Sequence, residues 1–372
     1  MIELSYYIVL AITLIPMLIY GFLLKFSKRN SAEGNVLNEN SERSDHRPAG
    51  GNKVKVSVII PCYNEAFGIK RKIDCFLSQF AEIGMASFEI IVVSDGSTDG
   101  TNKVLKSFAE NQFVRPIYLN QRQGKANAMN LGHRLARFPI LLFSDTRQII
   151  PQGTVGQLLS YFNCGSVDVV SSTLQNGNES SRIRQFINHL KVLESETGST
   201  ISIYGALFAM RKECYQPIPT NLILDDLYVS LSAIANGYKT TIDSKAIVID
   251  VELKNFYSKE RVFRLLCGHL QMIRKANFNL SDLSFKHLIY LYSQKYFKLT
   301  APILWALLSI LALFNSSIGM WHFGLTLSAI TLVVLLKKSV AISISRYVLL
   351  LFRSFGKLKA YETPLWEKSI EI

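Results

Sequence analysis

Uncharged apolar runs stand at both ends of this chain, and they constrain its folding more than any other feature. From Tyr6 the run YYIVLAITLIPMLIYGFLL carries no charge before Lys25, about the length that one bilayer crossing requires. Near the other end, Ala301 to Asn315 (APILWALLSILALFN) and Ile318 to Leu336 (IGMWHFGLTLSAITLVVLL) are two further runs, closed by Lys337 and Lys338. The first run predicts an N-terminal transmembrane anchor over residues 1–26. A cleaved signal peptide is the competing reading, but Glu3 stands where its basic region would be, and Lys25, Lys28 and Arg29 follow the run. The other two runs predict a transmembrane hairpin over 300–338. By the positive-inside rule the basic flanks are cytoplasmic, so the chain is expected as a multi-pass protein of the plasma (inner) membrane with its middle in the cytoplasm. Val340 to Phe352, which carries Arg346, is too short to span and is expected as an interfacial helix within 339–372.

Composition narrows the remainder. With 49% hydrophobic residues in 372, disorder throughout is excluded. Five scattered cysteines without a C-x-x-C suggest neither a disulfide framework nor a zinc site. Residues 27–53 are rich in Ser, Asn, Glu, Arg and Gly and read as a flexible tether. The net charge of +13 raises the question of a nucleic-acid partner, but residues 254–300 hold nine Lys and Arg against Glu260 and Asp282. That surplus lies beside predicted membrane segments, where it fits anionic headgroups, so membrane lipid is the expected partner and nucleic acid is not.

From Val54 short β-branched runs alternate with amphipathic stretches: KVSVIIP, a helix over Lys70 to Phe80, FEIIVVSD, a helix over Gly100 to Glu110, VRPIYLN, a helix over Gly124 to Arg137, PILLFSD, a helix over Thr154 to Phe162, and VDVVSS. The pattern predicts an α/β domain over 54–253, doubly wound on a parallel sheet. In such sheets ligands sit beyond the carboxyl ends of the strands. Glu65 follows the first strand, as binding carboxylate or helix cap. Asp95 ends the second, ahead of Ser97, Thr98 and Asp99, and Asp145 ends the third candidate strand. A carboxylate in that position can share a divalent cation with substrate phosphates, or serve only as a turn residue. Lys125 follows Gly124 and opens a helix, whose N-terminus favours anions. Asp225 and Asp226 head an amphipathic stretch, either as a pair containing a general base or as an acidic helix start. In the basic helices expected over 254–299, Arg261, Arg264, Gly268, Gln271 and Arg274 recur at spacings of three and four and so share one helical face. No G-x-G-x-x-G follows the first strand, which disfavours a dinucleotide-binding dehydrogenase.

In order along the chain, IIPCYNE, VVSDGSTDGT, QGKANAMNLG, FSDT, YGALFAMR, LDDLYVSLSAIANGYK and RLLCGHLQMIRK resemble the inverting family 2 glycosyltransferases of the GT-A, Rossmann-like fold. They resemble in particular the membrane-embedded branch that includes hyaluronan, chitin, cellulose and poly-N-acetylglucosamine synthases. The likeness covers about residues 54–275. It implies a nucleotide-sugar donor, a UDP-sugar, with Glu65 and Asp95 on the uridine and Lys125 near the ribose and diphosphate. It implies Asp145 as the retained acid of the D-x-D motif, holding Mg2+ or Mn2+, and Asp226 as the base that takes the acceptor proton, next to Asp225. Gln271 and Arg274 match the Q-x-x-R of Q-x-x-R-W at the acceptor end, and Arg264 lies on the same helical face.

Three positions depart from that pattern. Arg147 stands where a second D-x-D acid is expected, Leu224 and Asp225 stand where Thr and Glu precede the base, and Lys275 replaces the Trp of Q-x-x-R-W. The resemblance implies transfer of a sugar to a growing glycan. The departures keep open a single addition to a lipid-linked acceptor and an inactive glycan-binding assembly subunit. Two C-terminal spans are few for a private export channel, so an export partner or homo-oligomer is expected to contribute.

Overall fold

The computed structural model describes residues 15–25 except 17, 54–163, 167–177, 182–250 except 221, 259–275, 280–314, and 318, 320–323 and 326. The tether, the interfacial helix and most of the second C-terminal run lie outside the described residues.

Seven strands, β1 (Val56–Cys62), β2 (Phe88–Ser94), β3 (Val114–Tyr118), β4 (Ile140–Ser144), β5 (Val169–Asn176), β6 (Leu207–Arg211) and β7 (Thr240–Asp250), form one sheet in the order β3-β2-β1-β4-β6-β5-β7. β1 pairs in parallel with both β2 and β4, and β2 with β3. The expectation of a parallel sheet holds for this half and fails beyond β4. There β6 runs antiparallel to both β4 and β5, while β5 and β7 pair in parallel. The sheet is therefore mixed. A short apolar run such as LFAMR has the same composition in either direction, so its sequence does not disclose its polarity.

The strands at the centre are apolar on both faces because helices cover both. Val58 and Ile60 face a layer with Ile69, Ile73, Phe76 and Phe80 of α1 (Ile69–Glu82) and with Val155, Leu158 and Leu159 of α4 (Thr154–Ser160). Ile59, one residue out of phase, faces the opposite layer, with Ala126, Ala128 and Met129 of α3 (Lys125–Leu135) and Leu227, Tyr228 and Leu231 of α6 (Asp225–Ala235). Alternate residues of one strand thus anchor two cores. α3 comes unusually close: a Cβ on Gly132 would lie 2.4 Å from Ile59 Cγ2. Only glycine permits that approach, and it fixes where the first residue of α3, Lys125, is held. The second helix expected over 100–110 is shorter, α2 (Thr101–Lys106), and ends in successive turns.

The remaining helices are α5 (Arg182–Glu196), α7 (Lys259–Lys275), α8 (Phe285–Leu291) and α9 (Phe297–Leu313), with a π-helical turn at Tyr292–Tyr296 joining the last two. Residues 18–25 are helical, with Tyr20 and Leu24 buried in the same core as α6 and α8 and Leu18 and Phe22 exposed. Among the described residues no single helix is long and apolar enough to cross a membrane. The pair Phe285–Tyr296 and Leu299–Ala312, bent by 70°, passes that test only together.

Candidate active site

The loops after β1 and β2 are laced into one surface. Asn64, in the left-handed region at φ 55°, accepts the Thr98 N–H at 2.8 Å and donates its own N–H to Ser97 Oγ at 3.1 Å. The Glu65 N–H donates to Thr101 Oγ1 at 2.8 Å. Asp99 accepts the N–H groups of Thr101 (2.8 Å) and Ala66 (3.2 Å), so it caps and ties loops together. Asp95 does the same across to the next loop: its two carboxylate oxygens accept the N–H groups of Gln123 (2.7 Å) and Gly124 (2.8 Å). Burial pushes the Asp95 carboxyl above its ordinary value, against those two amides, which favour the charged form. Gly96, at φ 67°, stands so close that a Cβ would lie 2.5 Å from the Arg122 nitrogen. The turn that delivers Lys125 is therefore clamped to the end of β2.

Lys125 is the centre of the arrangement. Its Nζ lies 2.8 Å from Asp145 Oδ1 at the end of β4 and 2.8 Å from Asp225 Oδ2 at the head of α6. Burial opposes its charge, but the two carboxylates win and hold its pKa above the ordinary lysine value. Asp225 is raised by its burial, with Asp226 adding to the effect and Lys125 opposing it. Asp226 Oδ1 accepts the Leu227 N–H at 2.8 Å, in the first turn of α6. A Cβ on Gly205 would lie 3.5 Å from Asp226 Cβ and 3.8 Å from Lys125 Nζ, which puts both groups against the same glycine. Asp145, Asp225, Asp226 and Lys125 thus share one small space, and Asp95 joins it through Gly124.

Glu65 sits at the border of this space. Its Oε2 would lie 3.5 Å from a Cβ on Gly68, and Thr146 Cγ2 3.3 Å from the same point. Burial raises its carboxyl, Arg147 opposes the shift and Asp145 adds to it. Arg147 itself pairs with Asp250 Oδ1 at 3.3 Å, an oxygen that also accepts from Gln148 Nε2. α7 braces the approach to the acids: Gln271 Oε1 accepts the Ile223 N–H at 3.2 Å, and a Cβ on Gly268 would lie 2.7 Å from Leu224 Cγ. Arg264 is half-buried and Arg274 exposed. The helical face expected to line the acceptor therefore divides, with Gly268 and Gln271 turned to the segment before Asp225.

The sequence reading missed two features. The Arg122 guanidinium lies 4.3 Å over the Tyr63 ring, and its buried Nε and Nη2 have no hydrogen-bond partner among the described residues. Tyr63 lies inside IIPCYNE and Arg122 stands directly before QGKANAMNLG, so an aromatic and a cation on one sheet edge were available as a signal. The second feature is a pair of lysines, Lys191 and Lys295, far apart in sequence and joined only by the fold.

Residues 57–217, from β1 past β6, match the family model for glycosyl transferase family 2. Over those residues the chain is similar to glycosyltransferase family 2. Curated relatives include the poly-beta-1,6-N-acetyl-D-glucosamine synthases of Staphylococcus epidermidis, 23% identical over 62% of this chain and 58% of the relative, and Staphylococcus aureus, 24% identical over 59% and 56%. The match thus spans somewhat over half the length of those relatives. Among solved structures, a mannosyltransferase from Pyrobaculum calidifontis, determined in complex with GDP-Man and Mn2+, superposes with a TM-score of 0.69 at 22% identity, over 98% of this chain and all of that one. The mixed seven-stranded sheet described above is thus of a GT-A-like fold.

Proposed function

We propose that this chain is a membrane-bound inverting glycosyltransferase that moves a sugar from a UDP-sugar to a growing glycan. The observation that carries the reading is the convergence of Lys125, Asp145, Asp225 and Asp226 at the carboxyl edge of the sheet. Inverting transfer requires one base on the acceptor side, positive charge near the departing diphosphate, and reactants held in line. Asp226 accepts the proton of the acceptor hydroxyl as its oxygen bonds to the anomeric carbon. The bond from that carbon to the donor's phosphate oxygen breaks, and UDP leaves with the electron pair. Lys125, held charged by its two carboxylates, faces the charge that develops on UDP. Asp95, by clamping Gly124, keeps Lys125 in register with Asp145.

The residues at the end of β4 fit a divalent cation. Lys125 contacts only one oxygen of the Asp145 pair, at 2.8 Å, and the side chain is 30% exposed. Among the described residues no group of three or more His, Cys, Asp or Glu could hold a metal, and Arg147 is paired with Asp250. A cation would rest on Asp145 and on the donor's own phosphates, a mode magnesium commonly adopts. When bound, Mg2+ or Mn2+ would neutralise charge on the diphosphate.

Lys275 in place of the Trp of Q-x-x-R-W favours a second reading, a single addition to a lipid-linked acceptor. Membranes containing the full chain, incubated with a panel of labelled UDP- and GDP-sugars with and without EDTA, test both. UDP release coupled to labelled product, lost in Asp226→Asn, is expected. A ladder of products supports the growing glycan and one discrete product the single addition. Absence of transfer from every donor, or full activity of Asp226→Asn, overturns the enzyme reading.

A further inference from the structure

Beside Asp226 lies a cluster of cations that the reaction above does not use. Lys191 of α5 and Lys295 of the π-helical turn both reach the Ser202 hydroxyl, at 3.4 Å and 2.9 Å. Lys191 is 3% exposed, and its Nζ lies 3.5 Å from the centroid of the Tyr204 ring. Arg184, on the same helix, approaches that ring at 6.0 Å. Burial, reinforced by Lys295, pushes Lys191 well below its ordinary pKa. Neither lysine forms an ion pair among the described residues. Glu194 and Asp226 are the carboxylates whose fields reach them. Glu194 accepts from Tyr20 Oη, Gln294 Nε2, Thr200 Oγ1 and the Ile201 N–H instead, and Asp226 Oδ1 takes the Leu227 N–H.

A buried ammonium left with a hydroxyl and a ring carries a penalty of several kcal/mol, and two ammonium groups on one hydroxyl repel each other. An anion set between them would satisfy both, with Ser202 donating a third hydrogen bond. The place is specific. Ser202 and Tyr204 lead directly into Gly205, the residue against which Asp226 and Lys125 lie, and the field of Asp226 reaches both lysines. Lys295 also stands two positions before the start of α9, whose sequence FKLTAPILWALLSILAL is almost wholly apolar.

Building on the glycosyltransferase reading, we propose that Lys191, Lys295 and Ser202 form an oxyanion subsite that holds the phosphate joining an acceptor sugar to a lipid. The phosphate would sit near the attacked ring, and the lipid tail would leave along α9. This assigns the acceptor to phosphate-linked lipids and explains why a buried and a half-buried lysine meet beside a base that has no need of them.

The test uses the full chain in phosphatidylcholine nanodiscs and farnesyl phosphate as probe, with farnesol as its neutral counterpart and UDP as the donor-side reference. Lys191→Met and Lys295→Met should each weaken farnesyl phosphate binding about tenfold or more, the scale of a lost charge-assisted hydrogen bond. Farnesol and UDP affinities should not move. Lys191→Met should melt no lower than the parent, because an apolar side chain of similar volume replaces an unpaired buried charge. Ser202→Ala provides a second variant that leaves both charges in place and should weaken the probe less. Unchanged farnesyl phosphate binding in the lysine variants overturns the subsite. A parallel loss of UDP affinity reassigns the lysines to the donor and overturns it as well. Loss of probe binding in discs containing phosphatidylglycerol would give the site to bulk lipid headgroups, again overturning the acceptor assignment. No outcome depends on turnover, so a chain that binds the probe but transfers no sugar would sink the enzymatic reading and leave the subsite standing.

Discussion

Lys125 Nζ lies 2.8 Å from Asp145 Oδ1, and this pairing joins the loop clamped by Asp95 to the end of β4. The same nitrogen reaches Asp225, so one cation balances two carboxylates of the site. Lys125→Met would leave Asp145 and Asp225 facing each other unscreened and remove positive charge from the departing diphosphate. Turnover should fall by about 10²–10³, the scale for removal of one preorganised electrostatic contact. Lys125→Arg should not restore it, because a planar fork does not replace a compact ammonium between two acids. Initial rates of UDP release in matched membranes measure both.

Asp226 and Asp225 are neighbours with different expected losses. Asp226→Asn should lower kcat by about 10²–10⁴ as a general base is removed, with UDP affinity retained. Asp225→Asn should weaken the Lys125 contact and act on donor affinity and kcat together. Comparing kcat and KM for the donor in the two variants separates these roles.

Gly132 offers a mechanical test of how the fold sets the site. Gly132→Ala would place a Cβ 2.4 Å from Ile59 Cγ2, so α3 must move off β1 or β1 must yield. Overpacking of this kind costs about 1–3 kcal/mol, and the displaced helix carries Lys125 with it. A lowered melting temperature together with reduced turnover is expected. Reduced stability with full turnover would show that Lys125 is held by its carboxylates alone.

Much of this was legible in the sequence because each strand end announces itself locally. VVSDGSTDGT and FSDT pair an apolar run with an abrupt acid, and parallel strands buried on both faces allow little else. What was not legible depended on contacts between distant segments. The polarity of β6 is set by its neighbours β4 and β5, and nothing within LFAMR encodes it. The helical spacing of Gly268, Gln271 and Arg274 was visible, but not that Gly268 and Gln271 pack on Ile223 and Leu224 while Arg274 stays exposed. Lys191 and Lys295 are 104 positions apart and read as two ordinary basic residues until Ser202 brings them together.

That division of α7 yields its own prediction. Gln271→Ala removes the acceptor for the half-buried Ile223 N–H and should destabilise the segment leading to Asp225 by about 1 kcal/mol, the net worth of a typical hydrogen bond. Arg274→Ala, at an exposed position, should leave stability within about 0.5 kcal/mol. If Arg274 contacts substrate as the family motif implies, its loss appears in KM or kcat alone. Thermal melts beside steady-state rates distinguish the two.

Glu194 links the N-terminal helix, α5 and the π-helical turn through Tyr20 and Gln294, and burial pushes its carboxyl from 4.5 to about 7, against the hydrogen bonds it accepts. Its folded pKa exceeds its unfolded one, so the folded state binds the proton more tightly. Stability is then fullest below pH 4.5 as far as this group is concerned, and it declines as pH rises from about 4.5 to about 7, where the folded carboxyl finally ionises. The full span corresponds to roughly 3 kcal/mol. Melting temperatures of the full chain taken across pH 5 to 8 should fall with rising pH, and Glu194→Gln, which keeps an uncharged side chain of the same shape, should flatten that slope. A parent and variant with the same pH dependence would show that Glu194 is ionised throughout, with Lys191 or Lys295 supplying its counter-charge, and would remove the unpaired cations from beside Asp226.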